Sequence, residues 1–218
     1  MRLALRLALL AAPAAAPAQD FRVLLGGGEI GAVSVSRAGE ELSLRSRFAD
    51  TPLGVADGTF DADSRPVQGE GGAPVRQFFA RSDFTTEQRE VSVLHDGGRV
   101  LAVDIAPEAE LSDPAAVPAG VIDPVQAMDA VMGPVAGPGG CPPPFRFYDG
   151  RRVVEVAVAP EAAGEGTACA GTYTVVAGPA HLSPLGIRTV RLRLLYDAGG
   201  ALEELALRAG PFEMRLAR

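Results

Sequence analysis

The sequence predicts a mainly β protein: a single curved antiparallel meander sheet, half-barrel or barrel-like, with one short α-helix. Three observations carry that expectation. Apolar and polar residues alternate with period two through most of the chain, glycine-rich turns interrupt the alternation at short intervals, and one segment alone has the start signals of a helix.

In chain order the first segment reads as a leader. Arg2 and Arg6 give a positive start, Leu3 to Ala16 is almost unbroken Leu and Ala, and Ala16-Pro17-Ala18 has the small-x-small pattern of a cleavage site. Residues 1–18 are therefore predicted to be a cleaved signal peptide, and 19–218 a single β-rich domain beginning at Gln19. The apolar run is short for a bilayer span, and no later segment is apolar enough to be a membrane helix.

The clearest strand is Glu41 to Phe48, where Leu42, Leu44 and Phe48 share one face and Glu41, Ser43, Arg45 and Arg47 the other. Thr189 to Tyr196 repeats the pattern, with Val190, Leu192, Leu194 and Tyr196 opposite Arg191 and Arg193. Phe212, Met214 and Leu216 mark a last short strand. Weaker alternation covers Phe21–Leu25, Glu29–Arg37, Thr59–Ala62, Val75–Arg81, Glu87–Leu94, Arg99–Ile105, Phe145–Tyr148, Arg152–Val158 and Thr172–Val176. Asp96-Gly97-Gly98, Asp149-Gly150 and Ala198-Gly199-Gly200 supply turns between such runs.

The helix is announced by Asp123-Pro124-Val125-Gln126, an N-cap aspartate, a proline at the first helical position and a glutamine three residues after the cap. Val125, Met128 and Met132 then form one apolar stripe, and Gly133-Pro134 ends it. Pro-, Gly- and Ala-rich loops flank the helix on both sides. An outer-membrane barrel is disfavoured because the strands read as shorter than the ~9–11 residues needed to cross a bilayer, aromatics are few and Trp is absent.

Composition closes several functional classes. Removing Arg2 and Arg6 from the 20 basic residues leaves 18 against 27 acidic ones, a formal charge of −9, which argues against nucleic acid or an anionic membrane surface as partner. The chain has no lysine, so P-loop, Schiff-base and kinase-type lysine chemistry is impossible. Asparagine is absent too, leaving glycine to supply nearly all positive-φ positions.

Cys141 and Cys169 are the only cysteines, and in an exported chain they are predicted to form a structural disulfide. A metal pair or redox site is the rival, but no histidine lies near them and the spacing is not C-x-x-C. His95 is placed in a hairpin turn beside Asp96 and His181 in a Gly-Pro-rich loop; no G-x-S-x-G occurs, Ser183 pairs only weakly with His181, and neither histidine receives a role. The paired acidic residues (Asp61 with Asp63, Glu40 with Glu41, Glu203 with Glu204) read as a solvated face. No catalytic residue, cofactor or metal site is predicted. The string Phe145-Arg146-Phe147-Tyr148-Asp149-Gly150-Arg151-Arg152 is the most distinctive. Its adjacent arginines could fork onto a carboxylate or phosphate; as a hairpin, Asp149-Gly150 would instead be the turn, with the two arginines on opposite faces. The hairpin reading accounts for the string without a ligand.

Asp123-Pro124, then Cys141, then Tyr148-Asp149-Gly150-Arg151-Arg152, then Cys169 with Tyr173, resembles the bacterial domain-of-unknown-function family 3108. The resemblance spans most of the chain beyond the leader and is most specific between Asp123 and Tyr173, although this chain is short and low in aromatics. It implies an exported envelope protein with a β-rich fold, and it brings no activity that could be assigned to a residue.

The functional expectation is a periplasmic, non-enzymatic binding or carrier module for an apolar or lipidic small molecule. The alternatives are a structural or interaction module docking another envelope protein, and a hydrolase whose site the sequence does not reveal. The candidate ligand-facing residues are Leu42, Leu44, Phe48, Leu192, Leu194 and Tyr196, with Val190, Phe212 and Met214 on the same face. A helix of ten residues is ~15 Å long, too short to cover a sheet of eight or more strands ~4.8 Å apart. Either the sheet closes over its own filled core, or part of that face stays open for a ligand.

Overall fold

The computed structural model describes residues 16–218 apart from 55, 110, 136–139, 163–165 and 181–185. The predicted leader therefore lies mostly outside the described residues. The first half of the chain forms β1 (Ala16–Leu25), β2 (Gly28–Ala38), β3 (Glu41–Phe48), β4 (Gly58–Gln68), β5 (Pro74–Phe84), β6 (Glu87–His95) and β7 (Val100–Ala106). After β8 (Val121–Ile122) and the helix α1 (Pro124–Met132) come β9 (Phe145–Tyr148), β10 (Val153–Glu161), β11 (Thr167–Ala177), β12 (Thr189–Tyr196), β13 (Leu202–Ala209) and β14 (Phe212–Ala217). All fourteen strands belong to one sheet, in the order β7-β6-β5-β4-β3-β2-β1-β14-β13-β12-β11-β10-β9-β8.

The sheet is thus two meanders joined where the first strand pairs with the last, Arg22 opposite Ala217 through Leu25 opposite Met214. One pairing departs from the expected antiparallel meander: β8 runs parallel to β9. A parallel neighbour needs a crossover rather than a hairpin, and α1 with the segment after it provides one. Right-handed twist accumulated over fourteen strands curls the sheet until its two ends meet. The Gly98 carbonyl in the β6–β7 turn accepts N–H bonds from Gly120 at 2.6 Å and Val121 at 3.3 Å. Further along, Gly150 in the β9–β10 turn sits against Val91 of β6, so close that a Cβ there would lie 2.4 Å from a valine methyl. The result is one nearly closed, barrel-like sheet.

Most apolar residues point into the concavity and most charged ones outward. Phe21, Val23, Val35, Leu44, Phe78, Val93, Leu192, Leu194 and Leu205 form the core with α1, while Arg45, Asp61 and Asp63 pair on the outer surface. Seven strands reach nine to eleven residues, longer than the sequence suggests. The direction of the alternation, apolar in and charged out, is the reverse of a lipid-facing barrel. No helix among the described residues is long and apolar enough to cross a membrane.

α1 crosses the concavity with both ends secured. The capping box is formed: the Asp123 carboxylate accepts from the Val125 and Gln126 amides, and the Gln126 side chain accepts from Asp123 N–H. At the other end, Tyr196 donates its hydroxyl to the Val131 carbonyl at 2.7 Å and Gln19 reaches the Met132 carbonyl. These are carbonyls that an α-helix leaves unpaired. Val125, Ala127, Val131 and Met132 are buried and Met128 only half so, because the sheet wraps the helix on more than one side.

Cys141 and Cys169 are bonded, with Cα atoms 5.9 Å apart. The bond ties the segment after α1 to β11. In the chain-entropy view, a loop of this size contributes roughly 3–4 kcal/mol through the unfolded state.

Candidate functional site

Of the six apolar residues expected to face a ligand, most lie in the core, and Leu42 also lines a pocket of about 280 Å³ with Ser43, Asp63 and Phe79. Leu42, Leu44, Leu192, Leu194 and Tyr196 are buried in the core, and Phe48 packs against its rim. Val190 is buried as well and Met214 half-buried, but Phe212 is 61% exposed. It follows directly on the β13–β14 turn, beyond the reach of the core. Phe48 alone of the six connects to the cavity described below, through its ring contact with Phe84 at 6.1 Å between centroids.

Two polar groupings inside the sheet were not legible as such in the sequence. The first is centred on the helix cap. Asp123 Oδ1 accepts the two helical N–H bonds at 2.9 Å each, leaving Oδ2 to accept from the Ser64 hydroxyl at 2.5 Å. His95 Nε2 lies 3.3 Å from the same oxygen, and Arg76 Nε donates to Ser64 Oγ at 2.7 Å. His95 is therefore not an idle turn residue: it ends β6, in phase with inward-facing Val91 and Val93, and is 2% exposed. That phase was the signal available in the sequence. Serine, histidine and aspartate meet here with the aspartate in the middle. Hydrolytic triads place the histidine between the other two, where it can take the serine proton. Ser64 is also fully buried, so this trio anchors the helix to the sheet. His181 lies outside the described residues.

The second grouping is at the seam where the ends of the sheet meet. Beyond the Asp123 cluster, inward residues of β4, β5 and β6 leave a cavity of about 290 Å³, bounded opposite by Pro124, Phe147 and the β9–β10 turn. Phe60, Phe78, Ala80, Phe84, Val91 and Phe147 make its apolar walls. Its polar end holds Glu87, Arg89, Asp149, Arg151 and Arg152.

The turn explains why two consecutive arginines reach one cavity. Asp149 Oδ1 accepts N–H bonds from Arg151 at 3.0 Å and Arg152 at 2.8 Å, and Asp149 N–H bonds the Arg152 carbonyl at 3.2 Å. This side-chain-closed turn keeps residues 151 and 152 out of the strand, so the alternation that would send them to opposite faces does not apply. Gly150, at φ +88° and pressed on Val91, adopts a backbone that other residues rarely tolerate.

Electrostatically the end of the cavity is cationic. Arg89 forms a short ion pair with Glu87, and Arg152 Nε lies 2.7 Å from Asp149 Oδ2. Arg151 has no carboxylate partner among the described residues. Three guanidiniums against two carboxylates leave one positive charge in excess. Arg89 and Arg151 each bury an Nε–H that meets no acceptor, and such an orphan donor costs about 1–3 kcal/mol. Burial, followed by the nearby charge of Arg151, makes the Arg89 guanidinium easier to deprotonate than an ordinary arginine. Nothing in the sequence singled out Arg89, although it falls in phase with Val91 and Val93 on the inward side of β6. Among the described residues, no group of three or more His, Cys, Asp and Glu is placed to hold a metal ion.

No family model matches the chain, and no curated protein matches it. Among solved structures it is similar to a β-barrel-like protein of domain of unknown function DUF1849 from Brucella abortus, at 13% identity and a TM-score of 0.48, over 92% of this chain and 94% of that one.

Proposed function

We propose that the protein is a non-enzymatic binding module that holds an apolar-tailed small molecule in the seam cavity. The observation that carries this reading is a space at the seam walled by four phenylalanines, Ala80 and Val91, with five charged residues at one end. Concave, mostly apolar sites with a few converging polar groups are the usual form of small-molecule pockets. In this reading the ligand surface is the seam rather than the broad inner face that includes Leu192 and Leu194. The carboxylates at its polar end, Glu87 and Asp149, are both engaged by arginines, which favours binding over acid–base chemistry. N-phenyl-1-naphthylamine, an uncharged apolar probe of a size the cavity can hold, should bind at micromolar concentration with enhanced emission. Ser82→Phe, which places a ring in the cavity from β5, should abolish the enhancement; equal binding by the variant would refute the assignment.

A docking role for another envelope protein is the second reading. It is favoured by β7, a seven-residue strand at the sheet's edge with Leu101 42% exposed, since an unpaired edge can accept an added strand.

Export to the periplasm is part of the proposal, supported by the leader-like first 18 residues and the disulfide. Continuous pairing of β1 with β2 resumes at Gln19 opposite Val35, so removal of residues 1–18 would leave that ladder intact. Intact mass of periplasmic material should correspond to a chain starting at Gln19, and full-length protein confined to the cytoplasm would overturn it. The motifs from Asp123 to Tyr173 further support a distant relationship to family 3108; a profile built from homologues of this chain that failed to reach that family would remove it.

A further inference from the structure

We propose that the seam cavity selects a monocarboxylate, a small alkyl or aryl carboxylic acid whose head is held by Arg89 and Arg151 and whose tail lies against Phe78 and Phe84. The inference rests on the reading of the seam as a ligand site and adds the identity of the head group. Glu87 already engages Arg89 at its terminal nitrogen, and Asp149 is committed to Arg152 and to its own turn. Among the described residues, the charge of Arg151, which lines the cavity, meets no carboxylate, and the Nε–H groups of Arg89 and Arg151 are closed off from solvent without an acceptor. A guanidinium presents its donors as a planar fork that matches a carboxylate, and that geometry gives stronger bonds than a neutral acceptor can.

The charge count favours one negative charge over two. One carboxylate brings the polar end to neutrality, whereas a phosphate monoester dianion would overshoot and face Glu87 and Asp149 as well. Size favours a small ligand: about 290 Å³ lies at the lower limit of small-molecule pockets, enough for one short chain or ring and too small for a two-chain lipid. The Glu87 side chain is 47% exposed beside the arginines, which leaves the polar end reachable from solvent.

The test is calorimetric titration of the full chain with octanoate, octan-1-ol, octyl phosphate and inorganic phosphate. Octanoate should bind at least about tenfold more tightly than octan-1-ol, the discrimination expected when a buried donor gains a charged acceptor. It should also exceed octyl phosphate. Arg151→Gln should bring octanoate down to the level of octan-1-ol and weaken octan-1-ol far less than octanoate; Arg151→Lys should recover part of the loss. If octan-1-ol binds as well as octanoate, the head-group assignment fails while the apolar cavity stands. Equal or tighter binding of octyl phosphate overturns the monoanion, and inorganic phosphate matching octanoate overturns the role of the tail. If no alkyl ligand binds, the seam reading itself fails.

Discussion

One carboxylate, that of Asp123, fastens the helix to the sheet. Its Oδ1 completes the helix cap and its Oδ2 faces Ser64, His95 and, at 3.9 Å, Arg76. Removing a buried acceptor that serves several donors costs more than a cap alone, which is worth ~1 kcal/mol. Asp123→Ala should destabilise the fold by about 3–5 kcal/mol, the range for stranding a buried charged partner. Ser64→Ala, which leaves Asp123 in place, should cost about 1–3 kcal/mol. Urea unfolding of both variants checks the order; a loss near 1 kcal/mol for Asp123→Ala would reduce the residue to a simple cap. The cap was legible in Asp123-Pro124-Val125-Gln126 because its partners are two and three residues away. Ser64 and His95 lie 59 and 28 residues away, and only the folded sheet brings them in. The same holds for Arg89 and Arg151: each is readable as inward-facing or turn-borne, and neither discloses the other.

At the scale of elements, strands with branched or aromatic residues on one face were readable and those without were not. β12 alternates Val190, Leu192, Leu194 and Tyr196 against arginines. Its neighbour β13, Leu-Glu-Glu-Leu-Ala-Leu-Arg-Ala, is composed of good helix formers and was signalled only as the run after the Ala198-Gly199-Gly200 turn. Pairing with β12 and β14 on both sides overrides its local preference. β8 is two residues long and has no pattern to read. The β9–β10 turn shows the opposite case, a motif seen in sequence whose geometry was misread, since Asp149 closes a wider turn than a two-residue hairpin. Gly150 within it is constrained twice, by φ +88° and by Val91. Gly150→Ala should cost at least about 1–3 kcal/mol and should loosen the seam more than the rest of the sheet. Amide exchange should therefore accelerate in β6 and β9 but not in β2 and β3, and a uniform effect across the sheet would contradict the seam account.

For the whole molecule, two seven-stranded halves meet at β1 and β14 and nearly meet again around α1. The curved sheet and its single helix were predictable from alternation and one set of caps. How far the sheet would close was not, because closure depends on accumulated twist and on close approaches such as Gly98 to Gly120 and Gly150 to Val91. That geometry decides where unfilled space remains. With α1 spanning the concavity, Leu192 and Leu194 are buried, and a cavity lies instead between Phe78, Phe84 and the arginine turn. Methyl NMR of the full chain titrated with octanoate tests this most directly. Saturable shifts at the Ala80 and Val91 methyls, with Leu44, Leu192 and Leu194 unmoved, are the expected result. Shifts confined to Leu44, Leu192 and Leu194, or none at all, would contradict a ligand site at the seam.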